Sequence, residues 1–217
     1  MGRKLLIFDL DGTLLNTIGD LTQAANHALC QCGFSIRHSE SVIRSFVGNG
    51  ITKLLERSLP PEGRDEATMQ RMRSHFLSFY NLHGAELTKP YPGVCKLLHR
   101  LQQENYLLAI ASNKYQQATE HLVGHYFPCI DFACIYGQRP DVPIKPHPQV
   151  VNEIIAKTGV LLSEVLYIGD SDVDMQTAHN AGVDAVGVSW GFRPRKDLEA
   201  FSPFAIIDNA EDLLSVL

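Results

Sequence analysis

The 217-residue sequence has no basic tail and no cluster of Lys and Arg, and its formal net charge is −5. Such a chain offers nothing to track a phosphate backbone, so nucleic acid is not an expected partner. No apolar run approaches the roughly 20 residues that span a bilayer, so no membrane insertion is expected. The opening residues read at once as a strand, and no secretory leader is expected. Cysteines are few and odd in number: Cys30, Cys32, Cys95, Cys129 and Cys134. Only the first two lie close, and two positions apart on a helix they point in different directions. A disulfide frame or a thiolate metal site is therefore not expected; free thiols in a cytoplasmic protein are. The nine histidines are scattered without the spacing of a zinc site. No internal repeat or low-complexity stretch occurs, and no obligate protein partner is evident.

With 45% apolar residues, the chain can bury a good core as one domain or two small ones. Short apolar segments bounded by turn residues lie at Leu5–Phe8, Leu107–Ala111, Phe132–Ile135, Val165–Ile168, Ala185–Val188 and Phe204–Ile207. Each has the length of a fully buried strand. Helical patterns separate most of them, at Val94–Glu104, Tyr115–Val123, Pro148–Lys157, Met175–Ala181 and Asn209–Val216. Alternation of this kind predicts an α/β fold: a parallel, Rossmann-like sheet with helices on both faces.

The rhythm breaks between Thr17 and Ala85, where only helices are expected: Ile18–Cys32, Ser39–Val47, Ile51–Ser58 and Asp65–Leu82. The expected division is thus a core of residues 1–16 and 86–217 with an inserted helical domain at 17–85. Its hinges would be Leu14–Thr17 and Ala85–Gly93, the second stiffened by Pro90 and Pro92. The insert carries a charge of +1 and the remainder −6.

In an open parallel sheet, ligands sit beyond the carboxyl ends of the strands. The residues that follow each strand here are Asp9, Asp11 and Thr13, then Ser112, Asn113 and Lys114, then Lys145, then Asp170, Ser171, Asp172 and Asp174. Gathered carboxylates repel unless a cation joins them. An all-oxygen ligand set favours a hard ion such as Mg²⁺, which readily bridges carboxylates to phosphate oxygens. Lys145 adds positive charge where a phosphoryl group would sit. N–H groups of the Gly12–Leu14 turn and the hydroxyls of Thr13 and Ser112 would donate to its oxygens. Asp9 and Asp11, two apart on extended chain, point the same way. One can form an acyl phosphate while the other moves protons.

"DLDGTL", "SNK", "KP" and "GDSDVD", in this order and spacing, resemble the four motifs of the haloacid dehalogenase superfamily. The insert resembles the small helical cap of its phosphatase branch. "FVGNGITKLLERSL" and "GVSWGFR" resemble the phosphoglycolate phosphatase family. The resemblance implies that Asp9 is the nucleophile and a metal ligand. It makes Asp11 the general acid/base, with its carbonyl on the metal. Ser112 becomes the phosphate-binding hydroxyl with Asn113 beside it, and Lys145 the stabiliser of nucleophile and phosphate. Asp170 and Asp174 become metal acids. An acid at position 11 argues for phosphoryl transfer over carbon–halogen cleavage. Three positions depart from the pattern. Asn16 stands where an Asp is common and should still cap the next helix. His147 and His179 are unusual but outside the expected chemistry.

In the insert, Gly48, Asn49 and Gly50 read either as a plain helix start or as a loop presenting N–H groups to an anion. Lys53 and Arg57, four apart, share a helix face. With that loop they would hold a carboxylate beyond the phosphate, which makes 2-phosphoglycolate the expected substrate. Lys114 and Arg193 read as surface charges, and Trp190 as packing under the insert. The alternatives are a sugar-phosphate mutase or phosphatase, a pyrophosphatase, and a phosphonate hydrolase using Lys53, the insert's one lysine. From other classes they are a phospho-accepting receiver and an inactive binding scaffold.

Overall fold

The structure is a computed structural model that describes residues 2–217. The chain opens with β1 (Leu5–Phe8), β2 (Leu15–Asn16), α1 (Ile18–Gln31), α2 (Glu40–Phe46), α3 (Gly50–Ser58) and α4 (Glu66–His83). It continues with β3 (Lys89–Pro90), α5 (Val94–Gln103), β4 (Leu107–Tyr115), α6 (Gln116–Tyr126), β5 (Phe132–Gln138) and α7 (Gln149–Thr158). It closes with β6 (Val165–Gly169), α8 (Asp172–Ala181), β7 (Asp184–Val188), α9 (Arg195–Glu199) and β8 (Ala205–Ile207). Six strands form one parallel sheet in the order β5-β4-β1-β6-β7-β8.

The strand that starts the chain lies in the middle of the sheet, which is why all four of its residues are apolar and buried. Alternate side chains go to opposite faces. Leu6 and Phe8 join Leu108, Ile110, Leu166 and Ile168 under α5 and α6. Leu5 and Ile7 join Ala109, Val165 and Tyr167 under α7 and α8. Phe8 is in register with Ile110 on one side and Ile168 on the other. The residue that follows β1 is Asp9, so its carboxylate emerges beside the ends of both neighbouring registers.

Helices α1–α4 gather on a third apolar cluster. On α3 the buried residues are Ile51, Leu54, Leu55 and Ser58, the spacing of one helical face. On α4 they are Thr68, Met72, Phe76 and Tyr80, a straight stripe four residues apart. Asp65 caps α4 by accepting from Thr68 N at 3.0 Å. No helix among the described residues is long and apolar enough to cross a membrane.

The structure differs from the sequence expectation at several joints. The two expected hinges pair with each other as an antiparallel ribbon, Leu15 opposite Pro90 and Asn16 opposite Lys89. Strands of two residues leave no periodicity to read. Strand β4 runs on through Ser112, Asn113 and Lys114, so these are strand residues rather than loop residues. Helix α8 starts at Asp172, earlier than its apolar pattern, because Ser171 and Asp174 form a capping box. The expected last helix is a short 3₁₀ turn, Ala210–Ser215, and α9 was not expected at all.

Beside the ribbon sits a buried clasp. Asp20, on the first turn of α1, accepts from Leu87 N at 2.9 Å, Thr88 N at 2.8 Å and Thr88 Oγ1 at 2.6 Å. Asp20 is 1% exposed, so removing its carboxylate strands the N–H groups of Leu87 and Thr88 and leaves the Thr88 hydroxyl only Gly84 O, at 3.3 Å. Asp20→Ala should lower unfolding stability by about 3 kcal/mol or more, since each orphaned buried donor costs roughly 1–3 kcal/mol. Asp20→Asn, which keeps one acceptor oxygen, should cost less. Denaturant unfolding of the two variants checks both magnitude and order.

Candidate active site

Three elements meet at the carboxyl edge of the sheet. The turn after β1 supplies Asp9 and Asp11, the end of β6 leads into Asp170, and the first turn of α8 supplies Asp174. One oxygen from each of Asp9, Asp170 and Asp174 lies within 4.8 Å of the others, and all three residues are buried. Lys145 reaches the same point from the loop before α7. Its ammonium donates to Asp9 Oδ1, Asp174 Oδ1 and Ala111 O at 2.8 Å each, and contacts the Tyr167 hydroxyl at 3.0 Å.

The electrostatics follow from that inventory. Burial, followed by the neighbouring Asp174 and Asp11, raises the Asp9 pKa to about 7 against the pull of Lys145. Asp170 is pushed well above the ordinary carboxylate range by burial, then by Asp174 and Asp9. Burial also works against the Lys145 ammonium, but Asp174 and Asp9 outweigh it and hold its pKa well above the usual lysine value. Three carboxylates against one ammonium leave an excess of negative charge in a buried place. The all-oxygen donor set and that excess fit a divalent cation.

Each acid is held by its own supports. Asp174 Oδ2 accepts from Ser171 Oγ at 2.6 Å and Ser171 N at 3.1 Å. Asp170 accepts from Thr13 Oγ1 at 3.2 Å and from Phe192 N at 2.6 Å. Glycine is required on both sides of Asp170. A Cβ on Gly12, whose φ is +95°, or on Gly191 would fall on the Asp170 side chain. Asp11 does not join the three-acid group. Its Oδ1 accepts from Thr17 Oγ1 at 2.8 Å, and both its oxygens lie 3.2 Å from the Lys114 ammonium.

Several expected roles move. The N–H groups of Gly12, Thr13 and Leu14 all donate inside their own turn, and the Thr13 hydroxyl goes to Asp170. None of these is left for an anion; Gly12 and Thr13 shape the turn instead. Asn113 is likewise committed: it donates to Gly48 O at 2.8 Å and Lys145 O at 3.0 Å and accepts from Lys145 N at 2.9 Å. It clamps the lysine backbone while lining the cavity. Ser112 keeps its position, lining the cavity while its oxygen accepts from Lys114 N at 3.2 Å.

On the helical side, Gly48 and Gly50 line the cavity, with φ of +117° and +77°. Asn49 and Arg57 do not. They line a separate groove, where Arg57 donates to Phe46 O at 2.9 Å. The periodicity of α3 predicts which residues share a face, but not which face meets the site. Lys53 pairs with Glu56 at 2.7 Å and is more than half exposed, so it is no candidate for a covalent adduct with substrate.

Lys114 and Arg193 are not surface charges. The Lys114 side chain is 4% exposed, and Arg193 donates to Arg44 O at 2.8 Å and to Val47 O. Trp190 packs on the sheet side instead of under the helices, donating to Thr13 O at 3.1 Å and lying against Tyr91. His147 and His179 are exposed and touch none of this. Tyr167 was missed. Its signal was a hydroxyl in the middle of an otherwise apolar buried strand. Phe192 gave no signal, since it acts through its backbone N–H.

A parallel sheet with paired acids just after its central strand, a buried lysine and further acids beyond the adjacent strand is the frame of a carboxylate-based hydrolase. Residues 6–188 match the family model of haloacid dehalogenase-like hydrolases, and the chain belongs to that family. It is 35% identical to a phosphoglycolate phosphatase of Mesorhizobium japonicum over 98% of this chain and 94% of that protein. It is 32% identical to one of Vibrio parahaemolyticus over 99% of this chain and 96% of that one. Among solved structures, one from Lactobacillus delbrueckii subsp. bulgaricus, provisionally described as a phosphoglycolate phosphatase, superposes with a TM-score of 0.90. That structure is 33% identical, with 100% of this chain and 99% of the other covered.

The glycine constraint is open to direct test. Asp170→Asn and Gly191→Ala should each weaken divalent-cation binding at least tenfold, the first by removing charge and the second by displacing the carboxylate. Calorimetric titration with the cation reads the binding, and thermal unfolding shows whether the fold survives.

Proposed function

We propose that the protein is a Mg²⁺-dependent phosphatase that hydrolyses a small phosphate monoester, 2-phosphoglycolate, through an aspartyl-phosphate intermediate. The observation that carries the reading is the buried group of Asp9, Asp170, Asp174 and Lys145 with Asp11 two residues from Asp9. Asp9, Asp170 and Asp174 would hold the ion with the Asp11 carbonyl. When bound, it would neutralise the carboxylates and draw charge from the phosphoryl oxygens.

The chain's own residues supply the steps. Asp9 Oδ1 is fixed by Lys145, which aims the carboxylate at phosphorus. Asp9 attacks, the phosphorus–oxygen ester bond breaks, and Asp11 gives the leaving oxygen its proton. Asp11 then takes a proton from water as that water attacks the acyl phosphate, releasing phosphate and restoring Asp9. The Ser112 hydroxyl would donate to the phosphoryl group, and the Lys145 ammonium stabilises it electrostatically.

Residues 17–85 serve as a cap in this reading. Gly48 and Gly50 close the cavity over the acids, and their positive φ lets the backbone turn there without a side chain in the way. The cavity beneath them has a volume of about 60 Å³ and opens to solvent on one side. The names of the relatives support the same substrate.

The purified protein should hydrolyse 2-phosphoglycolate in Mg²⁺ and lose activity in EDTA, with phosphate release as the readout. Asp9→Asn should abolish turnover, because an amide cannot form the acyl phosphate. Full activity in chelator, or near-normal turnover by Asp9→Asn, contradicts the proposal.

A further inference from the structure

A substrate that carries a carboxylate beyond its phosphate needs a cation or donor to meet it inside the cavity. Three cationic side chains line that cavity: Lys145, Arg193 and Lys114. Lys145 has four acceptors within 3.0 Å for its three N–H groups. Arg193 is held in place by the Arg44 and Val47 carbonyls, with Nε 3.4 Å from Asp172. Lys114 is different. Its only hydrogen-bond acceptor among the described residues is the Asp11 carboxylate, with both oxygens at 3.2 Å. That is long for a charge-assisted bond, which closes to roughly 2.7–2.9 Å when well made. Three N–H groups thus share one loosely held carboxylate.

The second observation comes from the opposite wall. The Lys114 ammonium lies 4.6 Å from the ring centre of Tyr80, the last buried residue of the α4 stripe. Tyr80 is 3% exposed and lines both this cavity and an adjoining one that it shares with Asn81, Gly84 and Tyr115. Its hydroxyl is buried and has no hydrogen-bond partner among the described residues. Buried hydroxyls are rarely left unpaired, so an orphan in a cavity wall points to a ligand atom. Burial first, and the nearby Asp11 next, raise the Tyr80 pKa well above the ordinary phenol value. The group is therefore a neutral O–H donor. A cation with spare N–H groups and a residue that carries an unpaired donor thus line one cavity.

We propose that Lys114 and Tyr80 form the subsite that reads the carboxylate of the leaving group, and so set the enzyme's preference for a short anionic ester. The inference rests on the phosphatase reading above and adds the specificity-determining pair, one residue from β4 and one from α4. Arg57, which the sequence pattern favours for this task, stands outside the cavity.

The test measures affinity without turnover, in the Asp9→Asn protein with Mg²⁺, by calorimetry. The probes are 2-phosphoglycolate and ethyl phosphate, which differ chiefly in the carboxylate. The parent should bind 2-phosphoglycolate at least tenfold more tightly than ethyl phosphate. Adding Lys114→Met should reduce that ratio to below threefold, and adding Tyr80→Phe should reduce it at least threefold. Tyr80→Phe removes only an unpartnered hydroxyl, so it decides the matter even if Lys114→Met, which leaves Asp11 unpaired, does not fold. A ratio unchanged by Tyr80→Phe, or a parent without preference, overturns the subsite. Turnover of p-nitrophenyl phosphate by the wild type separates the two levels. If it is turned over and no preference is found, the subsite alone fails. If no phosphate monoester is turned over, the phosphatase reading fails with it.

Discussion

The structure turns on one buried ammonium. Lys145 sits between Asp9 and Asp174 at 2.8 Å from each, almost out of reach of solvent. Without it, three acids from three parts of the chain would face one another with nothing between them. Removing one partner of a buried ion pair typically costs 3–5 kcal/mol, because it leaves the other charge uncompensated. Much of the surrounding architecture holds that lysine still. Asn113 grips its backbone from both sides, the Ala111 carbonyl and the Tyr167 hydroxyl complete its shell, and β6 places Tyr167 beneath it.

The same lysine links the sheet to the helical side. Asn113 holds Lys145 and the Gly48 carbonyl with one side-chain amide. The loop that closes over the cavity is thus tied to the group that positions Asp9. Arg193 makes a second tie, from the segment after β7 to the end of α2. Asp20 makes a third, fastening α1 to the returning chain. These polar ties join the helices to the sheet side in addition to the apolar contacts of Ala118 and Phe192 with the helical cluster, and polar bonds fix register more sharply than apolar packing does.

Much of this was legible in the sequence, for physical reasons that can be named. Six short apolar runs alternating with helical periods allow few solutions besides a parallel sheet. The acids after β1 and β6 have no purpose in a buried strand end unless they meet a ligand. Asp9, Asp170, Asp174 and Lys145 come together as their positions at strand ends imply. What the sequence hid was orientation. Asn113 and Thr13 have the right chemistry to hold an anion, but the fold spends their bonds on Lys145 and Asp170. Arg57 shares a face with Lys53, as spacing requires, yet that face turns away from the acids. Lys114 looked like any charge on a loop; the extension of β4 carried it inside. Backbone donors such as Phe192 N leave no trace in composition or spacing.

The central claim is that Asp9 carries the phosphoryl group. The most direct measurement is chemical trapping. The Asp11→Asn protein, mixed with 2-phosphoglycolate and Mg²⁺, should hold the acyl phosphate longer, because the residue that activates water is gone. Borohydride reduction followed by peptide mass spectrometry should then find position 9 reduced and no other carboxylate altered. Reduction at a different acid, or none at all in a protein that has released glycolate, would contradict the account.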